Sequence, residues 1–182
     1  MKNQMITTIL EEINQVIDGV DESQLTAFVD ILAQDKRIFV LGEGRSGLQG
    51  KGFAMRLMHI GREVYVIGET ITPAIQAGDV LVAISGSGKT GQVLTLAQKA
   101  AGNDVTVVAV TSSPASPLAQ VTENKVIIPG ATKTGDGIHS IQLLSSLFDQ
   151  TLHIVLDYVC LDLSQKLAIS NERAKAQHSN ME

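Results

Sequence analysis

Short runs of β-branched and aliphatic residues at 38–41, 64–67, 80–84, 105–110 and 126–128 dominate the middle of the chain. They are continuous rather than alternating, the pattern of strands buried on both faces. Stretches with helical spacing lie between most of them, near 46–60, 90–101 and 115–121. Strands that alternate with helices build a parallel sheet through right-handed crossovers. The expected fold is therefore α/β: a three-layer α/β/α sandwich around a parallel sheet of about five strands. The connection 68–79 between the second and third runs leaves room for one helical turn around 73–76.

Both ends of the chain read as helix. Ile6, Ile9, Leu10, Ile13, Val16 and Ile17 share one helical face. Asp21 is placed to cap a second helix whose stripe is Leu25, Phe28, Val29 and Leu32. Residues 137–165 form a long apolar stretch with helical spacing, and a polar helix is expected near 166–178. A single domain over 1–182 results, with N-terminal helices at about 1–34 and a helical tail at about 166–182. The apolar surface of both ends exceeds what one such sheet needs, which points to subunit contacts.

Composition excludes several functions. The chain has 182 residues, 44% of them apolar, and a net charge of −5, so nothing suggests a polyanion-binding surface. Aromatic residues are 3% with no Trp, too few for stacking single-stranded nucleic acid. One cysteine, Cys160, rules out an intrachain disulfide or a multi-cysteine zinc site. No apolar run reaches membrane-spanning length, and the N-terminus lacks the apolar core of a signal peptide. The expectation is a cytoplasmic protein with no membrane and no nucleic-acid partner.

Glycine placement carries the functional signal. The first strand runs into Gly42-Glu43-Gly44-Arg45-Ser46-Gly47, a G-x-G-x-x-G in strand–turn–helix context. The third runs into Ser85-Gly86-Ser87-Gly88-Lys89-Thr90-Gly91, a second one. A dinucleotide fold needs one such loop, at its first strand, and a separate substrate domain that 182 residues hardly accommodate. Gly88-Lys89-Thr90 imitates the end of a P-loop, but Ala83 stands where that motif needs its first glycine. What survives is physical. Both loops set small residues at the carboxyl end of a strand and the N-terminus of a helix, where backbone N–H groups favour an anion. Ser85, Ser87 and Thr90 add hydroxyls around one spot, with Gly86 between them. That is a phosphate-monoester site with no metal ligand beside it, and Gly44, Arg45 and Ser46 on the neighbouring loop are placed to hold the other end of the same ligand.

Four segments then resemble a known family. SGSGKT at 85–90 is similar to the phosphosugar loop of sugar isomerase (SIS) domains. GEGRSG at 42–47, FAMRLMHIG at 53–61 and GETITP at 68–73 resemble the 6-phospho-3-hexuloisomerases within that family. The likeness runs from about residue 36 to the tail Gln177-His178-Ser179-Asn180-Met181-Glu182. It departs where the family typically carries Pro-Met-Gly in place of Leu143-Leu144-Ser145, Glu in place of Asp149 and Arg in place of Gln177.

The resemblance implies a five-stranded SIS fold and isomerisation of D-arabino-hex-3-ulose 6-phosphate to fructose 6-phosphate, in the ribulose monophosphate route of formaldehyde fixation. It implies no cofactor, no metal and a homo-oligomer, usually a tetramer with shared active sites. By position, Asp149 is the catalytic base, one methylene shorter than the family's residue. His178, in a polar tail with no packing role, is expected to enter a neighbouring subunit's site as acid/base partner. Glu69 and Thr70, at the same sheet edge, and His59 are candidates for contacts with the sugar. The alternative is a non-catalytic phosphosugar-binding module. Such modules normally travel with a helix-turn-helix domain, for which the residues before the sheet offer no basic patch.

Overall fold

The computed structural model describes residues 2–133 and 137–181. Met1 of the expected N-terminal helix and Glu182 of the tail lie outside the described residues. The elements run α1 (Lys2–Asp18), α2 (Glu22–Ala33), β1 (Ile38–Gly42), α3 (Gly44–His59), β2 (Val64–Val66), β3 (Val80–Ile84), α4 (Gly91–Ala101), β4 (Thr106–Thr111), β5 (Lys125–Ile127), α5 (Ser146–Lys166) and α6 (Asn171–Ala176). The strands form one sheet in the order β2-β1-β3-β4-β5, every pair parallel. The α/β expectation and all the expected strands are present.

This order reverses direction at β1. The chain moves outward to β2, returns past β1 to β3, and continues to β4 and β5. The β1–β3 register pairs Gly42 with Ile84. The two glycine loops therefore leave adjacent strands at the same edge, where α/β sheets open a crevice.

Continuous apolar strands bury both faces. Ile38, Val40, Val82, Ile84, Val108 and Val110 face a core built by α1, α2, α3 and α5. Phe39, Leu41, Leu81, Ala83, Val107 and Ala109 face Val93, Ala97 and Ala100 of α4, and Leu118. Asp21 caps α2, its side chain accepting from the Ser23 N–H.

Several expected helical segments fold otherwise. Residues 115–121 are turns. The Ser116 hydroxyl accepts from the Ala119 N–H and the Gln120 N–H closes one turn on the Ser116 carbonyl, but the Val121 N–H falls back to the Leu118 carbonyl and no second turn follows. No helical turn forms at 73–76; the turns lie at 67–71, closed by the Thr72 N–H on the Glu69 carbonyl. The long helix begins at Ser146 rather than at 137. Before it, Ile138 bridges to Gly130, and Leu144 has a φ of 56°, which breaks helical geometry. The tail helix is confined to Asn171–Ala176, capped by Ser170. On α1 only part of the apolar stripe packs: Val16 is buried, while Ile6 and Leu10 are 57% and 54% exposed.

Candidate active site

The two loops enclose a cavity of ≈ 300 Å³ at the β1/β3 edge. Gly44, Arg45 and Ser46 line one side; Ser85, Gly86, Ser87 and Thr90 line the other. All seven substrate-binding residues expected in the two loops are thus brought to one place.

Close backbone approach shapes this cavity. A Cβ on Gly47 would stand 2.5 Å from the Gly42 carbonyl oxygen, so the start of α3 can press on the end of β1 only without a side chain there. Gly44 turns into α3 with a φ of 58°. The Ser85 and Thr90 hydroxyls lie 2.8 Å apart and close the second loop across its base. Gly86 is held from beneath by the Phe148 ring, which a Cβ would meet at 3.0 Å.

Three helices begin at the cavity. Glu43, Thr90 and Ser145 are the N-caps of α3, α4 and α5, all three line the cavity, and none gives its helix a side-chain cap hydrogen bond. The first N–H groups of those helices have no partner within their own helix, and three positive dipole ends converge on one space. Arg45 and Lys133 add cationic side chains to its lining. An anion with several oxygens is the ligand this arrangement favours.

Asp149 lies directly behind that wall. It sits in the first turn of α5 and is fully buried. Ser46 Oγ donates to Oδ1 at 2.9 Å, and Ser145 Oγ donates to Oδ2 at 3.0 Å. Arg45 Nε stands 3.6 Å from Oδ2, while Nη1 of the same guanidinium donates to Ser146 Oγ at 2.8 Å. The carboxylate is therefore held by side chains that themselves face the cavity.

The remaining expected residues lie elsewhere in the chain. Glu69 pairs with Lys51 of α3 at 2.6 Å and, like Thr70, does not line the cavity. His59 ends α3, a 16-residue helix about 24 Å long, at the end away from the cavity. His178 stacks on it, with ring centroids 5.1 Å apart. Burial, Arg56 and then His178 push the His59 imidazole below its ordinary value. The two histidines are thus brought together, but not to Asp149 of the same chain.

Sequence reasoning missed Glu43, Thr132, Lys133, Leu144 and Ser145 in the cavity lining. Thr132 and Lys133 follow β5, whose carboxyl end shares the cavity's edge of the sheet; topology is the signal that places them. A larger hollow of ≈ 770 Å³ lies on the α4 face, lined by Leu41, Ile67, Leu81 and Leu96 among others. It lacks the hydroxyls and helix N-termini of the smaller cavity.

Comparison with known proteins agrees with this geometry. The SIS domain family matches residues 31–154. A 3-hexulose-6-phosphate isomerase of Mycobacterium gastri is 40% identical over 178 residues, covering 97% of this chain and 89% of that one. Another from Bacillus subtilis is 34% identical over 179 residues, covering 97% of both. A crystal structure from Methanococcus jannaschii, for which a 3-hexulose-6-phosphate isomerase function was inferred, has a TM-score of 0.85 at 28% identity, covering 98% of this chain and 99% of that one. The chain belongs to the SIS domain family. Its curated relatives there include isomerases that act on a phosphorylated ketose, matched over nearly their whole length.

Proposed function

We propose that the chain is a phosphosugar isomerase converting D-arabino-hex-3-ulose 6-phosphate to fructose 6-phosphate. The observation that carries this reading is the convergence of α3, α4 and α5 N-termini and the Ser85, Ser87 and Thr90 hydroxyls on one cavity, with a buried carboxylate behind it. The substrate's phosphate occupies the ring of donors, and its ketose end lies against Ser46 and Ser145. Rotation of the Ser46 hydroxyl opens Asp149 to the sugar. The carboxylate takes the C2 proton as the C3 carbonyl becomes an enolate oxygen. The same proton, or one from solvent, returns to C3, while the O2 hydroxyl proton passes to O3, so that C2 becomes the carbonyl and C3 the hydroxyl-bearing carbon. Atoms balance without an oxidant.

The chain works as a homotetramer with shared sites, in the cytoplasm. Leu48 and Met55 of α3 are 65% and 52% exposed, with Gly52 between them and nothing within 4 Å of a Cβ there. Two copies of α3 crossing antiparallel at Gly52 bring the His59 end of one helix to the Gly44 end of the other. The His59–His178 pair then reaches a second copy's cavity, where His178 serves as acid/base partner and His59, with Glu69 and Thr70, meets the sugar. A separate set of exposed apolar residues, Met5, Ile6 and Leu10 on α1, supplies the second kind of contact that a dihedral tetramer needs. Within the chain, no helix among the described residues is long and apolar enough to cross a membrane.

Supplying ribulose 5-phosphate, formaldehyde and a hexulose phosphate synthase tests the reaction. Fructose 6-phosphate appears only when the chain is added, and its formation from hexulose 6-phosphate by the chain alone is undiminished by a chelator. Binding of sugar phosphates with no turnover would replace this reading with the non-catalytic module.

A further inference from the structure

We propose that Ser145 is the positioning residue for Asp149, and that the two form one matched unit in which the serine hydroxyl fixes the carboxylate at the distance an aspartate side chain spans. This rests on the isomerase reading above. Ser145 is the N-cap of α5, yet its hydroxyl makes no cap bond to that helix and donates instead to Asp149 Oδ2 at 3.0 Å. With Ser46 on Oδ1 at 2.9 Å, the two hydroxyls hold the carboxylate from both oxygens. A glycine in place of Ser145 offers no such hydroxyl, and a glutamate in place of Asp149 carries its carboxylate one methylene further.

The segment that delivers Ser145 is anchored along its length. Glu12 of α1 accepts from the Ser140 hydroxyl at 2.5 Å and from the Ile141 N–H at 2.8 Å. The Gln142 and Gln150 amides bond reciprocally, at 2.9 and 2.8 Å. Leu144 is held at a φ of 56°, a conformation that costs a leucine energy and persists only where its surroundings impose it. These anchors fix the backbone that aims one hydroxyl at one carboxylate.

A four-cornered comparison tests the unit: wild type, Ser145→Gly, Asp149→Glu and Ser145→Gly/Asp149→Glu. Each single change lowers kcat, about 10-fold or more, because ångström-scale misplacement of a base costs up to roughly 10²-fold. KM stays within about 2-fold, since the phosphate donors are untouched. The double variant recovers to within about 3-fold of wild type, and Ser145→Ala behaves like Ser145→Gly. A double variant equal to the product of the singles overturns the proposal, as does Ser145→Ala with wild-type kcat. Thermal unfolding of the same four proteins reads the pair without turnover: the double variant loses less in Tm than the singles summed, whereas additive losses contradict it. A wild type with no isomerase activity but non-additive Tm values sinks the reaction and leaves the pairing standing.

Discussion

The His178 ring lies on the His59 ring, 5.1 Å between centroids and 19° from parallel, at the end of α3 that the cavity does not touch. His59 is buried, and burial first, then Arg56 and His178, lowers its pKa from the ordinary 6.5. The unfolded chain therefore takes up a proton at His59 that the folded chain refuses. Stability is full above about pH 6.5 and falls as pH drops from there toward the lowered folded value. Melting curves between about pH 8 and pH 5 should show Tm falling across that window, and His59→Gln should flatten this part of the profile. An unchanged slope in the variant would remove His59 as its source.

Gly47 makes a second prediction, on folding. A Cβ there meets the Gly42 carbonyl oxygen at 2.5 Å and its carbon at 2.8 Å, backbone that cannot move aside without lifting α3 from β1. Gly47→Ala should lose about 2–3 kcal/mol, a Tm drop of roughly 5–10 °C. Because the same contact sets the cavity wall, inorganic phosphate should protect the variant less against heat than it protects wild type. Calorimetry with and without phosphate measures both.

The second loop separates binding from chemistry. The Thr90 hydroxyl closes the loop on Ser85 and lines the cavity, while the Asp149 carboxylate bonds to neither. Thr90→Val keeps the shape and removes the hydroxyl. A lost hydrogen bond to a charged group is worth roughly 1.5–3 kcal/mol, so KM should rise about 10- to 100-fold with kcat within a few-fold. Steady-state kinetics decides, and an equal fall in kcat with KM unchanged would place Thr90 in the chemistry instead.

The sheet and its loops were legible in the sequence because both faces of β1, β3 and β4 are buried, which leaves unbroken apolar runs. The hydroxyl-rich 85–91 loop and the cap at Asp21 were legible because their chemistry is local. Residues 115–121 misled because helical spacing survives in a segment where one turn closes on Ser116 and no second follows. Ser145 was hidden by the same kind of error. A helix expected from 137 buries it in mid-helix, whereas a helix from Ser146 makes it an N-cap one turn ahead of Asp149. Lys133 differs from Lys89 in nothing local; only the fold puts the first, and not the second, in the cavity lining.

The most direct test follows the proton. Purified D-arabino-hex-3-ulose 6-phosphate is incubated in deuterated water with wild type and with Asp149→Asn, and the product is read by NMR. Wild type should yield fructose 6-phosphate bearing solvent deuterium at C3 to the extent that the proton held by Asp149 exchanges before it returns, with a rate that falls at least about 100-fold in Asp149→Asn while KM changes little. Fructose 6-phosphate formed at the wild-type rate by Asp149→Asn, or none formed by wild type, would contradict the assignment of this cavity and this carboxylate to the reaction.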